Sequence, residues 1–287
     1  FAKALKINSS DINIERKFSK FSTLDSLGFV KLIISLNEQF EIELDTENVL
    51  ECDNIVQLSI YIANVAIWLD YLSLWGSFSK RIATIYLPDR KLPMLPTILS
   101  DVLCSLQSKC SRFALALDIS LNKETGEILG TEYKNVVINV VKNLQYDSKE
   151  QTKDPTYKNI FTIVEKMNKK CKYMRRITSS HNLIAYLMIF MNHLSAKILS
   201  TNKTGIYRSM IMSKTTSFDM IKNEEVKTFL DNWHSSGGNY NKYENLKEHE
   251  ALSLDKYLHI TSPIRRLVDL LNIYNIQKTL NITKFSD

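Results

Sequence analysis

The chain has 287 residues, is 44% hydrophobic and 24% charged, and carries a formal net charge of +6. This is an ordinary globular balance, enough for one large domain or two small ones, with no internal repeat and no low-complexity tract. The mild basic excess permits a nucleic-acid partner without demanding one. The four cysteines (Cys52, Cys104, Cys110, Cys171) form no Cys-x-x-Cys pair, which argues against a zinc knuckle or a disulfide framework and fits a reducing, cytoplasmic setting.

Residues 1–54 have their own character. Phe21-Ser-Thr-Leu-Asp-Ser-Leu-Gly28 precedes a helical pattern in which Phe29, Leu32, Ile33, Leu36 and Phe40 recur three or four apart, with Glu38, Glu41, Glu43 and Glu47 among and after them. Asp25-Ser26 stands at the start of that helix, where such residues most often serve as N-caps. An exposed serine there also tolerates a phosphodiester, because the helix dipole favours negative charge. Next, Val56, Leu58, Ile60 and Ile62 alternate with Gln57, Ser59 and Tyr61. Period two predicts a strand in preference to a helix built on Ile55, Leu58 and Ile62. No signal peptide is read at the start, and Phe1 in place of Met predicts a chain taken from a longer reading frame or trimmed.

Ala66 to Ile82 reads as a helical crossover, Tyr86-Leu-Pro88 as extended chain, and Pro93 and Pro96 force a turn before a helix over 99–106. Phe113 to Leu121 reads as a strand, Asn122 to Gly126 as a turn, and Val136 to Val141 opens a second β segment. Tyr146 to Tyr157 is polar and reads as a loop; helices follow near 156–170 and 180–199. The apolar run from Leu183 to Met191 stops at Asn192-His193, short of a membrane span, and is read as a buried core helix with no membrane partner. Tyr207 to Thr215 reads as extended, 223–234 as helical and Ser235 to Asn239 as a flexible loop.

In Tyr257-Leu-His-Ile-Thr-Ser-Pro-Ile-Arg-Arg-Leu-Val-Asp-Leu-Leu271, Pro263 suits the first turn of a helix capped by Ser262 or Thr261. Arg265 and Arg266 then fall in that first turn, where the dipole disfavours cations. Two arginines at a positive helix end point to an anion: backbone donors, hydroxyls and guanidinium forks together make a phosphate site. A capped surface helix with solvated arginines is the plainer alternative. Asp269, four residues after Arg265, is spaced to orient it. His259 is read as structural, and His181, His193, His234 and His249 have no metal-ligand spacing.

This stretch resembles the "HFTSPIRRYxD" signature of the RNase II (RNB) exoribonuclease family. Thr84-Ile-Tyr-Leu-Pro-Asp-Arg-Lys-Leu-Pro-Met-Leu-Pro96, running on to Leu99-Ser-Asp-Val-Leu-Cys-Ser-Leu106, resembles the family's "YLPDRxxPMLPxxLSxxLCSL". Ser180 to Asn192 looks like its central helix, and Gly205-Ile-Tyr-Arg208 like the strand after it. The resemblance covers roughly residues 56 to 280 and implies an α/β domain, an RNB-like mixed sheet with packed helices, over 55–287. It implies binding of single-stranded RNA and Mg2+-dependent hydrolysis from the 3′ end. In that scheme Tyr86 stacks on a base, Arg265 is the catalytic arginine on the scissile phosphate, and Arg266 and Arg208 track neighbouring phosphates or pair with carboxylates. Tyr257 and Ser262 flank or form the phosphate turn.

The metal-holding acids are where the resemblance fails. The family's "DxDD" cluster has no counterpart: Asp53 stands alone, and Asp45, Glu47 and Glu51 do not match its pattern. The aspartate of "IADV" is Asn64, and the acidic pair of "LIEEFMLxxN" is Ala185-Tyr186. No metal ligands are therefore assigned, and an inactive RNA-binding or scaffold module is the alternative to an active nuclease. Residues 1–54 resemble an incomplete helical acyl carrier protein, through Asp25-Ser26-Leu27 and the acidic segment after it. That resemblance implies 4′-phosphopantetheine on Ser26 and carrier-protein partner enzymes.

Overall fold

The computed structural model describes residues 54–77, 81–211, 223–227, 230 and 238–286. The segment 1–53, with Ser26 and the expected carrier-like helices, lies outside the described residues.

Alternation over 55–63 does produce a strand, β1 (Ile55–Ala63), and α1 (Val65–Tyr71) follows it directly. A short hairpin of β2 (Ile85–Tyr86) and β3 (Lys91–Leu92) and a π-helical turn (Ile98–Cys104) carry the proline-rich segment. Then come β4 (Ser111–Asn122) and β5 (Ile128–Asn139), α2 (Lys149–Lys153), α3 (Pro155–Lys170) and α4 (Ser180–Thr201). The strands β6 (Ile206–Met210) and β7 (Gly238–Lys242) pair with each other, and α5 (Leu267–Thr279) closes the described chain. The result is a mixed α/β fold with antiparallel sheets and packed helices.

β4 is the middle strand of the antiparallel order β1-β4-β5. Its residues Ala114 to Ile119 are all buried, so this stretch reads as a nearly continuous apolar run where β1 alternates. The turn between β4 and β5 is built by Asn122, whose Oδ1 accepts the N–H groups of Glu124 and Thr125 at 2.9 and 3.1 Å. Gly126 follows at φ +73°, packed so close to α3 that a Cβ would stand 2.5 Å from the Lys166 carbonyl carbon. Only glycine meets both demands.

α4 is long and apolar enough to cross a membrane by length and composition, and over half of its apolar window is buried within the protein. It packs against α3 and α5, burying Leu183, Tyr186, Phe190, Met191 and Leu199.

Four local expectations change. Residues 146–157 are largely helical, because Ser148 caps α2 and Asp154 caps α3, with Pro155 as the first helical residue. The strand expected from Val136 begins at Ile128, since the β4 hairpin extends its register back through a bulge near Ser120. Gly238 and Asn239, expected in a flexible loop, belong to β7. The crossover after β1 is helical only to Tyr71, followed by a short 3-10 turn at Trp75–Ser77.

Candidate nucleic-acid interface

The turn after Thr261 departs from the expected capped helix. α5 begins at Leu267, and Arg266, at φ −136°, is the extended residue before it with no side-chain cap. Pro263 therefore opens a tight turn, in which the Ser262 carbonyl accepts the N–H groups of Arg265 and Arg266 at 3.2 and 3.1 Å. Neither arginine sits in the first helical turn.

Asp269 organises this turn from inside. It is fully buried, and its Oδ1 accepts the Ser262 N–H at 2.7 Å and the Arg266 Nη2 at 2.8 Å. Arg266 Nε stands 2.8 Å from Oδ2. Burial holds the Asp269 carboxyl above its ordinary range, against the downward pull of Arg266. The carboxylate thus orients Arg266 rather than Arg265, correcting the expectation from spacing. Arg266 is committed to this pair, and Arg265 is left exposed.

Backbone bonds bring the two signature segments together. Thr84 N–H donates to the Arg265 carbonyl at 2.9 Å, and Leu267 N–H donates to the Ile82 carbonyl at 2.9 Å. Thr84 Oγ1 in turn accepts the Met94 N–H at 3.0 Å, fixing the β2–β3 hairpin. Tyr86, 64% exposed, is thereby carried to the rim of the Arg265 turn. A cleft of about 330 Å³ is lined by Tyr86, Lys91, Thr84, Thr261, Ser262 and Arg265, with Tyr61 on its β1 side. The Thr261 hydroxyl is buried with no protein partner. The cleft thus offers Arg265, Lys91 (paired with Asp101 at 3.5 Å), two ring faces and hydroxyls. Such a set binds a phosphate and a base together. Tyr61 and Lys91 were not singled out from sequence; the alternation that puts Tyr61 on the exposed phase of β1 was the available signal.

Two expected RNA contacts lie elsewhere. Tyr257 is buried, and its hydroxyl accepts from Asn192 Nδ2 at 2.9 Å. Asn192 Oδ1 accepts the Ile260 N–H at 3.0 Å, so α4 clamps the segment leading into the turn. Tyr257 is a supporting core residue, not an open stacking face. Arg208 Nη1 donates to the Gly238 carbonyl at 3.1 Å, and its guanidinium stands 5.2 Å from the Tyr240 ring. It does not line the cleft.

His259 is held by Tyr240. Its Nδ1 pairs with the Tyr240 hydroxyl at 2.8 Å, and burial, then Arg266 and Arg208, push its pKa down to about 3. The folded state keeps the ring neutral, whereas the unfolded chain takes up a proton near pH 6.5. Stability is therefore full above about pH 6.5 and falls as pH drops towards the folded value, because the unfolded state binds the extra proton. His193 and His249, also lowered by burial, act in the same direction. Urea midpoints are expected to fall from pH 7 to pH 5, and His259→Asn is expected to flatten that slope. An unchanged slope in the variant would contradict this assignment.

Among the described residues, the metal-binding acids do not reappear from elsewhere in the fold. Asn64 is buried, exchanging amide hydrogen bonds with Gln277 at 3.1 Å and donating to Asn135 Oδ1 at 2.8 Å. Tyr186 is fully buried, and its hydroxyl donates to the Cys171 carbonyl at 3.0 Å. Among the described residues the cleft lining has no carboxylate, and no cluster of three His, Cys, Asp or Glu is placed to hold a metal ion. This donor set does not fit Mg2+, which needs carboxylate oxygens.

The domain is thus of the mixed α/β class, with a Ser-Pro-Ile-Arg turn bonded to a proline-rich tyrosine hairpin. The RNB domain family matches residues 31–159 and 151–282, and the chain belongs to that family. The match begins at residue 31, inside the segment 1–54. Ribonuclease R of Chlamydia trachomatis is 25% identical over 281 residues, covering 75% of this chain and 40% of that protein. The human exosome complex exonuclease RRP44 is 27% identical over 139 residues, covering 46% of this chain and 14% of its own length. The chain thus spans less than half the length of these curated relatives. Among solved structures, Mycoplasma genitalium RNase R in complex with ribose-methylated single-stranded RNA aligns with a TM-score of 0.59 at 21% identity, covering 79% of this chain and 47% of that one. Yeast Ssd1, described as a pseudonuclease, aligns with a TM-score of 0.66 at 16% identity, covering 82% and 37%.

Proposed function

We propose that this chain is an RNB domain that holds single-stranded RNA and does not hydrolyse it. The observation that carries this reading is the cleft itself: Arg265, Lys91, Ser262 and Tyr86 converge on one opening whose described lining has no carboxylate. Arg265 supplies a charge-assisted fork for a phosphate, and Tyr86 a stacking face indifferent to base identity. The RNA bound by the M. genitalium relative and the pseudonuclease description of yeast Ssd1 support the two halves of the reading by analogy. The family implies Mg2+, but the described residues do not fit it, so no hydrolytic step is assigned to them.

The two contacts respond differently to salt. Arg265→Ala is expected to weaken binding of every sequence and to lower the slope of log affinity against log salt by about 0.7. Tyr86→Ala is expected to cost ~1–3 kcal/mol with the slope nearly unchanged. Fluorescence anisotropy with an unstructured RNA at several salt concentrations reads both effects. Two folded variants that bind like the parent chain would refute the cleft.

The Asp25-Ser26-Leu27 segment carries a separate proposal, a 4′-phosphopantetheine carrier served by its own partner enzymes. Incubation with coenzyme A and a phosphopantetheinyl transferase, read by intact mass, tests it. No mass change on a chain whose control carrier is loaded would remove it.

A further inference from the structure

A second surface, remote from the cleft, has the chemistry of a polyanion site. Lys169 and Lys170 end α3, and Lys172, Arg175 and Arg176 follow in the turn leading to α4. All five are exposed, and none takes part in any of the salt bridges found among the described residues. From Pro155 to Ser179 the single acid is Glu165. Favourable interaction with the helix dipole explains cations in the last turn of α3, which covers Lys169 and Lys170. It does not explain the three beyond the helix end.

The turn that displays them is fixed from within. Asn168 is buried; its Oδ1 accepts the N–H groups of Tyr173 and Met174 at 3.3 and 3.2 Å, and its Nδ2 donates to the Met174 carbonyl at 3.0 Å. The Tyr173 hydroxyl pairs with His193 Nδ1 at 2.7 Å, and its ring packs 5.6 Å from that of Tyr186. Ile177 is buried as well. The apolar side chains of the turn thus face the core while its cations face out, so little backbone ordering is left to complete on binding.

The position of this surface follows from sheet register. Lys166 Nζ donates to the Lys123 carbonyl at 2.9 Å, and Lys123 N–H donates to the Asn54 carbonyl at 2.6 Å. The basic turn therefore belongs to the end of the sheet where β1 begins, whereas the cleft sits at Tyr61 to Ala63. Six residues of strand separate Ile55 from Tyr61, roughly 20 Å.

We infer that the α3–α4 turn is a second contact surface for the phosphate backbone of RNA, engaged by strands long enough to reach past the cleft. This rests on reading the chain as an RNA binder. Exposed cations held on a rigid turn, with no base-reading geometry required, suit sequence-independent backbone contact.

The test uses the full chain, in which the acidic residues Glu38 to Asp53 are also present. Lys169, Lys170, Lys172, Arg175 and Arg176 are replaced together by Gln, and folding is checked by circular dichroism. Labelled oligouridylates of about 3 nucleotides, roughly 10 Å of stacked strand, and of about 20 nucleotides are then titrated across a salt series. The five-Gln variant is expected to bind the long RNA at least about tenfold more weakly at low salt. Its salt slope is expected to fall by about 0.7 for each cation that meets a phosphate, up to about 3.5. Binding of the trinucleotide is expected to be unchanged. Unchanged affinity and slope for the long RNA would overturn the proposal, as would loss of binding to phosphatidylserine vesicles with RNA binding intact. Failure of the cleft reads out separately, as indifference of the trinucleotide to Arg265→Ala. If the parent chain binds neither RNA, both readings fall.

Discussion

Asp269→Ala is expected to destabilise the domain by about 3 kcal/mol or more, the range for breaking a buried ion pair by removing one partner. The substitution leaves the Arg266 guanidinium, 24% exposed, without its counter-charge, and strips the Ser262 N–H of its acceptor. Part of the loss falls on the turn itself, because Ser262 and Arg266 are the two ends that Asp269 ties together. Affinity for RNA is therefore expected to drop along with stability, although Asp269 itself is buried. Asp269→Asn, which keeps an acceptor for Ser262 but not the charge, is expected to fall between. Urea denaturation reads the order. An Asp269→Ala variant within about 1 kcal/mol of the parent chain, the ceiling for ordinary surface ion pairs, would show that the pair is solvated instead.

Tyr186→Glu, which places an acid where the resembled RNase II signature has one, is expected to damage the fold without producing cleavage. Tyr186 is among the largest fully buried side chains, and its hydroxyl is taken by the Cys171 carbonyl. Removing an aromatic side chain from such a site costs about 3–5 kcal/mol, and a carboxylate placed there adds a desolvation cost or stays protonated. A single protonated or strained acid cannot hold a metal ion that needs several oxygen ligands. Asn64→Asp meets a similar obstacle, because Asn64 exchanges hydrogen bonds with Gln277 inside the core. Both positions are held by buried contacts, so neither substitution alone is expected to supply a metal site. Thermal unfolding with a parallel assay for mononucleotides checks both statements. A stable Tyr186→Glu chain that releases mononucleotides with Mg2+ would refute them.

The parts of this domain legible in sequence were those set by local rules. Period two gave β1, and the apolar run Leu183 to Met191 gave the core of α4. The two signature segments were legible as well, but not their meeting. That depends on backbone bonds between Thr84 and Arg265 and between Leu267 and Ile82, which have no sequence period. Spacing also misassigned the partner of Asp269. An i to i+4 separation implies a pair only within one helix, and Arg265 lies before α5 begins. Tyr257 looked like a ligand contact because of its place in the signature; its burial is decided by Asn192 on a different helix. The basic residues after Asn168 are not singled out by any sequence pattern above, and their display on a fixed turn depends on three bonds from one buried amide.

The most direct test of binding without hydrolysis is one titration read twice. A 5′-labelled, unstructured RNA with a free 3′ hydroxyl is titrated with the purified chain in Mg2+ buffer by fluorescence anisotropy, and the same samples are then resolved on a denaturing gel. The expected result is saturable binding, weakened by Arg265→Ala, with the RNA at full length after prolonged incubation. Shortening of the labelled RNA from its 3′ end by the parent chain, or no binding at low salt, would contradict it.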